Sequence, residues 1–125
     1  MENEGMDKSN VIAVKSKAFA IRIVRLYKYL KKSQHENILA AQVLRSGTSI
    51  GANVHEALRA QSTADFNAKM HIAMKEASET EYWLELLEAT DYINGEHAQS
   101  ILSDCVELIK ILSSITKTLK DKSLS

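Results

Sequence analysis

The residues whose types and spacing could do chemistry lie between positions 44 and 61. Arg45, Ser49, Asn53 and Glu56 follow one another at intervals of four, four and three residues, so in a helix they form one polar stripe. A guanidinium, a hydroxyl, an amide and a carboxylate in a row could bind a small ligand, take part in catalysis or form a hydrogen-bonded network.

Two later carboxylates are suitable partners for this stripe. Glu76 and Glu79 are three residues apart and would share one face of another helix. A guanidinium in a helix interface requires a carboxylate partner. We therefore interpret the set as a buried structural polar network that fixes helix register, formed by Arg45, Ser49, Asn53, Glu56, Glu76 and Glu79. The alternative is a small-ligand or enzymatic site formed by Arg45, Asn53, Glu56 and Glu79.

Other chemistry finds no support in the residue pattern. A di-iron bundle needs Glu-x-x-His on two helices, and no histidine of this chain has a glutamate three residues before it. Ser49 and His55 are six residues apart and face different directions on one helix, so they do not form a nucleophile and base. Cys105 lies among apolar residues and reads as an inert core thiol. We expect no catalytic residue, no metal and no cofactor, and we expect that the protein is not an enzyme.

Composition predicts an all-α fold. The 125 residues include no proline, only four glycines and 45% apolar residues, which favours long uninterrupted helices. We predict an antiparallel up-down-up-down four-helix bundle in a single domain, 1–125, with helices at about 10–32, 36–60, 63–92 and 96–120. No secretion signal or membrane span is evident, so a soluble cytoplasmic protein without membrane contact is expected.

Local signals mark the ends of these helices. Ser33 with Glu36 predicts a capping box at the start of the second helix, and Ser62 predicts the cap of the third. Asn94-Gly95 predicts the stop of the third helix. Apolar spacing predicts the inward faces of the clearest helices, with Ile12, Phe19, Ile23, Leu26 and Leu30 in the first, Phe66, Met70, Ala73, Ala77, Thr80, Leu84 and Leu87 in the third, and Ile101, Cys105, Leu108, Leu112, Ile115 and Leu119 in the fourth.

The second helix carries two glycines inside it. Gly47 and Gly51 each cost about 1 kcal/mol relative to alanine in a helix. We expect close approach of another helix backbone to offset that cost. A break in the helix between these glycines is the alternative.

Charge divides the chain into a basic half and an acidic half. Residues 1–61 hold ten Lys/Arg against five Asp/Glu, and residues 62–125 hold six against eleven. One explanation is that the two halves carry complementary charges that attract each other within or between subunits, and the other is that the basic half forms a nucleic-acid surface. The candidate nucleic-acid contacts are Lys17, Arg25, Lys28, Lys31 and Lys32. The apolar residues that interrupt these charges form a candidate oligomer interface, namely Val14, Ile21 and Val24.

Two runs of residues carry a family resemblance. Residues 44–57 contain Arg-Ser-x-x-Ser-Ile-x-x-Asn followed by Glu56, and residues 75–84 read Lys-Glu-Ala-x-Glu-Thr-x-Tyr-Trp-Leu. Together they closely resemble the bacterial 23S rRNA intervening-sequence proteins, and the resemblance spans about residues 19–119. The family's signature positions are matched by Arg45, Ser49, Asn53, Glu56, Glu79 and Trp83.

The resemblance implies a small antiparallel bundle that assembles into a ring-shaped homopentamer, with no established catalytic activity. It also implies likeness to the accessory proteins of diversity-generating retroelements, which use basic surfaces on nucleic acid, although this chain is neutral overall. We expect a non-enzymatic homo-oligomeric interaction scaffold that binds RNA or a ribonucleoprotein through its basic face, with DNA as a further candidate partner. A structural partner of another protein, without nucleic-acid binding, is the alternative.

Overall fold

Four helices follow one another along the chain. The computed structural model describes the backbone of residues 7–124 and the side chains of residues 7–120. The helices are α1 (Lys8–Lys32), α2 (Ile38–Leu58), α3 (Thr63–Ala89) and α4 (Gly95–Leu124). No strand occurs in this described backbone, so the all-α fold predicted from the sequence is confirmed. None of its helices combines the length and the apolar character needed to cross a membrane.

Neighbouring helices run antiparallel, as the order of their contacts shows. Lys15 and Arg22 on α1 pair with Glu107 and Asp104 on α4, so residue numbers rise along one helix as they fall along the other. The same reversal relates α2 to α3, in the pairs Arg45–Glu79 and Glu56–Lys69. The predicted antiparallel four-helix arrangement therefore holds, and each helix packs on the next one in the chain.

The apolar positions predicted to face inward form the core. Each helix contributes fully buried side chains, among them Phe19, Ile50, Leu84 and Leu112. Burying one such side chain stabilises the fold by roughly 1.5–3 kcal/mol. Three residues that the spacing also places inward are only partly buried and pack against the core, namely Leu26, Phe66 and Leu119. The core therefore lies along the predicted faces, with these three side chains at its margin.

The two glycines of α2 lie where α1 comes closest. A Cβ added to Gly47 would stand 2.8 Å from the side chain of Ile23, and one added to Gly51 would stand 3.3 Å from the backbone oxygen of Ser16. The expected close approach is therefore real, and α1 is the helix that makes it. The alternative of a break is wrong, since α2 is continuous from Ile38 to Leu58.

The turn between α1 and α2 differs from the predicted capping box. Ser33 does not cap α2, because it ends α1 by donating its backbone N–H to the carbonyl of Tyr29. His35 takes a left-handed conformation with φ 54°, so the chain reverses and α2 begins at Ile38, two residues later than predicted. The Glu36 carboxylate alone caps the helix, accepting from the Ala40 backbone N–H at 2.9 Å.

The turn between α3 and α4 also differs from the prediction. The third helix ends at Ala89, and Asp91 adopts φ 67°. The N–H groups of Asp91 and Tyr92 then close the helix end on the carbonyls of Glu88 and Leu87. Asn94 does not stop α3, because its side chain accepts from the His97 N–H at 2.9 Å and so caps α4. By contrast Ser62 caps α3 as predicted, accepting from the Asp65 N–H at 3.1 Å.

Candidate functional site

Arg45 on α2 bridges two carboxylates on α3. Its Nη1 lies 3.2 and 3.3 Å from the two carboxylate oxygens of Glu76, and its Nη2 donates to Oε2 of Glu79. The indole Nε1 of Trp83 donates to the same Glu79 oxygen at 2.9 Å. Glu76, Glu79 and Trp83 fall three and four residues apart, which brings them to one face of α3. We call Arg45, Glu76, Glu79 and Trp83 the Arg45 cluster.

The contacts of the Arg45 cluster favour its charged state. The indole N–H of Trp83, followed by the Arg45 guanidinium, holds the pKa of the Glu79 carboxyl below its usual range. Glu79 and then Glu76 raise the pKa of Arg45. The side chains of Arg45, Glu76 and Glu79 are 49%, 16% and 34% exposed. The cluster therefore lies at the surface of the α2–α3 seam, and solvent screens its ion pairs.

Ser49 and Asn53 do not reach across to α3. The Ser49 hydroxyl donates to the backbone carbonyl of Arg45 at 2.7 Å, and the Asn53 amide donates to the carbonyl of Ser49 at 2.8 Å. Short polar side chains in a helix commonly bond back to their own preceding turn. In the middle of the polar stripe the hydrogen bonds therefore stay within α2, and only the two ends of the stripe contact α3.

The far end of the stripe pairs with a residue outside the predicted network. Glu56 lies 2.8 Å from Lys69 Nζ, and this ammonium lowers the pKa of Glu56 while Glu56 raises that of Lys69. The antiparallel register could have revealed the partner. In an antiparallel pair, a step forward along α2 corresponds to a step back along α3. Since Arg45 lies opposite Glu79, Glu56 eleven residues later faces a position about eleven residues before Glu79, next to Lys69.

The completely buried polar pair between α2 and α3 is Ser46 with Thr80. Their hydroxyls lie 2.9 Å apart, and neither side chain is exposed to solvent. The Thr80 oxygen also lies 2.8 Å from the backbone carbonyl of Glu76. Spacing places Thr80 on the inward face of its helix, but nothing in the sequence pairs it with Ser46, because that contact depends on which small residues of α2 turn toward α3.

The predicted nucleic-acid contacts all lie on the exposed surface of α1. We call Lys17, Arg25, Lys28, Lys31 and Lys32 the basic face. Within residues 7–120 none of them forms an ion pair with a carboxylate, and Lys31 lies 5.3 Å from the centre of the Tyr27 ring. The other cations of the helix all contact α4: Lys15 and Arg22 pair with Glu107 and Asp104, and Lys8 donates to the Ser114 hydroxyl. Charge complementarity within the chain thus accounts for Lys15 and Arg22 but not for the basic face.

The predicted interface residues lie on the same surface. Val14, Ile21 and Val24 are 64%, 46% and 37% exposed. At 100° per residue, these three and the basic face fall within an arc of roughly 120°. Along the helix, four of the five basic-face residues follow the three apolar residues. We call the stretch 14–24 of this surface its apolar half and the stretch 25–32 its basic half.

The remaining candidate chemistry is placed as follows. Cys105 is buried, and burial raises the pKa of its thiol to about 12. Over the part of the chain that the structure describes, no group of three or more His, Cys, Asp or Glu residues is placed to hold a metal ion. No member of the Arg45 cluster lines any of five hollows on the described surface.

Comparison with known proteins identifies a family and a similar solved structure. The family model described as 23S rRNA-intervening sequence protein matches residues 8–114. The chain is also similar to a solved structure from Bacteroides thetaiotaomicron, described as a protein with unknown function from the S23 ribosomal protein family. The identity is 57% and the TM-score 0.87, with 89% of this chain and 99% of that chain covered. No curated protein sequence matches the chain.

Proposed function

The chain belongs to the 23S rRNA-intervening sequence protein family, and on this premise we propose that it is a non-enzymatic homo-oligomeric scaffold that binds RNA through the basic face of α1. The single observation that carries the proposal is the exposure of five cations on one face of α1 without carboxylate partners among residues 7–120. From Lys17 to Lys32 these cations extend over about 22 Å at the rise of an α-helix. That length suits several successive phosphates of a nucleic-acid strand.

The apolar half of the same surface supports self-association. Exposed apolar residues interleaved with charges at helical spacing are more typical of a subunit contact than of bare solvent. We place the contact at Val14, Ile21 and Val24, and we take the ring of five subunits that the family resemblance implies as its form. Such a ring would repeat the basic half of α1 five times and so multiply weak phosphate contacts.

The Arg45 cluster has a structural part in this proposal. Its guanidinium is engaged by two carboxylates, and one of these also accepts from Trp83, which leaves little free hydrogen-bonding capacity for a substrate. Its effect is to hold α2 and α3 in register. A buried lone thiol fits a reducing cytoplasm, where we place the protein.

A gel-shift titration tests RNA binding. Structured RNA and duplex DNA are titrated at low salt with the full chain, with K28E/K31E/K32E and with a matched control, K75E/K110E/K117E, which reverses three exposed charges on α3 and α4. The proposal predicts that the α1 variant loses RNA binding and that the control keeps most of it. Failure of the unmodified chain to bind, or equal losses in both variants, would contradict it. An oligomer that binds no nucleic acid would instead favour a structural partner of another protein.

A further inference from the structure

A groove opens between α1 and α4 beside the first turn of α4. Its volume is about 390 Å³, within the range of roughly 300–1,000 Å³ that small-molecule sites occupy. Leu26, Ile93 and Ile101 form an apolar floor. No aspartate or glutamate lines the groove, although α4 carries several of them elsewhere.

Apart from Asn94, the other side chains that line the groove are cationic or aromatic, and two of them are held in place. Arg22 is fixed by the Asp104 carboxylate at 2.7 Å through Nη1, which leaves its other guanidinium nitrogens free of that bond. The Tyr29 hydroxyl accepts from the Gln34 amide at 2.8 Å, which restrains the ring at the rim. Side chains held in position before binding lose less entropy when a ligand arrives.

Arg25 completes the groove with a cation that has no carboxylate partner among residues 7–120. Arginine presents a planar fork that matches phosphate oxygens. Nucleobases in turn pack on aromatic rings and guanidinium planes. An inorganic anion would gain nothing from the apolar floor, whereas a ligand with both a flat ring and a phosphate would use every wall.

We propose that this groove binds one nucleotide, with the base on the apolar floor beside Tyr29 and the phosphate at Arg22 and Arg25. The nucleotide can be free or can be an unpaired nucleotide of an RNA strand. In the second form the inference rests on the proposed function, because Arg25 belongs to the basic face that would carry the strand.

Methyl NMR of the full chain locates the site directly. The protein is titrated with AMP, UMP and ribose 5-phosphate. We expect AMP and UMP to shift the methyl signals of Leu26, Ile93 and Ile101, and to bind at least fivefold more tightly than ribose 5-phosphate. Absence of these shifts, or equal affinity for ribose 5-phosphate, would overturn the proposal, since the groove would then not bind a base.

Two exposed residues of α1 provide a matched pair of variants. R25Q and K28Q each remove one cation from the same helix, but only Arg25 lines the groove. R25Q should weaken AMP binding at least fivefold and K28Q less than twofold. Equal losses would show general attraction to a basic surface and would contradict a groove site.

RNA binding separates this inference from the proposed function. The RNA function fails if the unmodified chain does not bind RNA, or if K28E/K31E/K32E binds RNA as tightly as the unmodified chain does. The nucleotide site stands in either case if AMP binds in the groove. If RNA binds through the basic face but neither mononucleotide shifts the groove methyls, the nucleotide site fails. A hairpin RNA with an unpaired end is also compared with the same hairpin without one. If the unpaired end gives tighter binding to the unmodified chain but not to R25Q, the RNA strand is the source of the nucleotide.

Discussion

The hydroxyls of Ser46 and Thr80 lie 2.9 Å apart between α2 and α3, where both side chains are fully buried. A slide of one helix along the other would separate them and leave the Ser46 hydroxyl without this partner in the core, whereas Thr80 would keep its bond to the Glu76 carbonyl. The pair therefore fixes the register in which Arg45 lies opposite Glu79. Through α2, the same register presents Gly47 and Gly51 to α1.

Replacing Thr80 with valine should destabilise the fold. Valine keeps the shape of threonine but leaves the Ser46 hydroxyl without its buried partner, at a cost of about 1–3 kcal/mol in the free energy of unfolding. Urea unfolding at a fixed protein concentration measures the change. The double variant S46A/T80V removes both hydroxyls and should recover part of the loss. The single variant S46A is measured as well, and a double variant whose loss equals the sum of the S46A and T80V losses would show that the two groups do not interact.

Replacing Gly47 with alanine should also destabilise the fold, although alanine has the higher helix propensity. Alanine favours a helix by about 1 kcal/mol over glycine, but its Cβ would lie 2.8 Å from Ile23, and overpacking of this kind costs about 1–3 kcal/mol. G95A is the control, because the nearest atom to its added Cβ is 4.0 Å away. Thermal unfolding should place G47A below the unmodified chain and G95A at or above it. A G47A variant more stable than the original would refute the close approach of α1.

The Arg45 cluster should make stability depend on pH on the acidic side. The pKa of Glu79 is lower in the folded chain than in the unfolded chain, where it is about 4.3. The stability that Glu79 provides is thus complete above about pH 4.3 and is lost as pH falls through its folded pKa. Glu79→Gln should flatten the acidic limb of a plot of unfolding free energy against pH, whereas Glu85→Gln, at an exposed position on α3, should not. Identical acidic limbs for all three proteins would contradict this role for Glu79.

The apolar half of the α1 surface should control the oligomer. Light scattering of the unmodified chain should give five times the chain mass of 14.0 kDa. Ile21→Glu places a charge at the proposed subunit contact and should yield smaller species. Ile72→Glu changes an equally exposed isoleucine on α3 and should leave the assembly intact. A monomeric unmodified chain at tens of micromolar would remove the scaffold from the proposal.

Periodicity was sufficient to predict the helices and their inward faces. Positions such as Ile12, Leu84 and Leu112 are fully buried where their spacing places them, because a 3.6-residue repeat determines which side of a helix is apolar. Helix ends were harder to predict. Ser33 and Asn94 are typical capping residues, but left-handed backbone at His35 and Asp91 decides which helix each of them serves, and neither residue type requires that conformation.

Side-chain partners across the seams were only partly predictable. Arg45 could be paired with its carboxylates from the sequence, because a charged group in a helix interface requires a partner of opposite charge. Ser49 and Asn53 could not be assigned in the same way, because a short polar side chain is equally satisfied by its own helix. The α1–α4 groove had no sequence signal, because its walls come from residues about 70 positions apart, such as Arg25 and His97.

RNA affinity measured over a series of salt concentrations tests the role of the basic face most directly. If phosphates are bound there, the logarithm of the association constant falls linearly with the logarithm of salt concentration. Replacing Lys28, Lys31 and Lys32 with glutamine should then reduce the slope by about 2–3, at roughly 0.7–0.9 for each phosphate that the variant no longer neutralises. An unchanged slope in the triple glutamine variant, or affinity that does not respond to salt, would contradict RNA binding through α1.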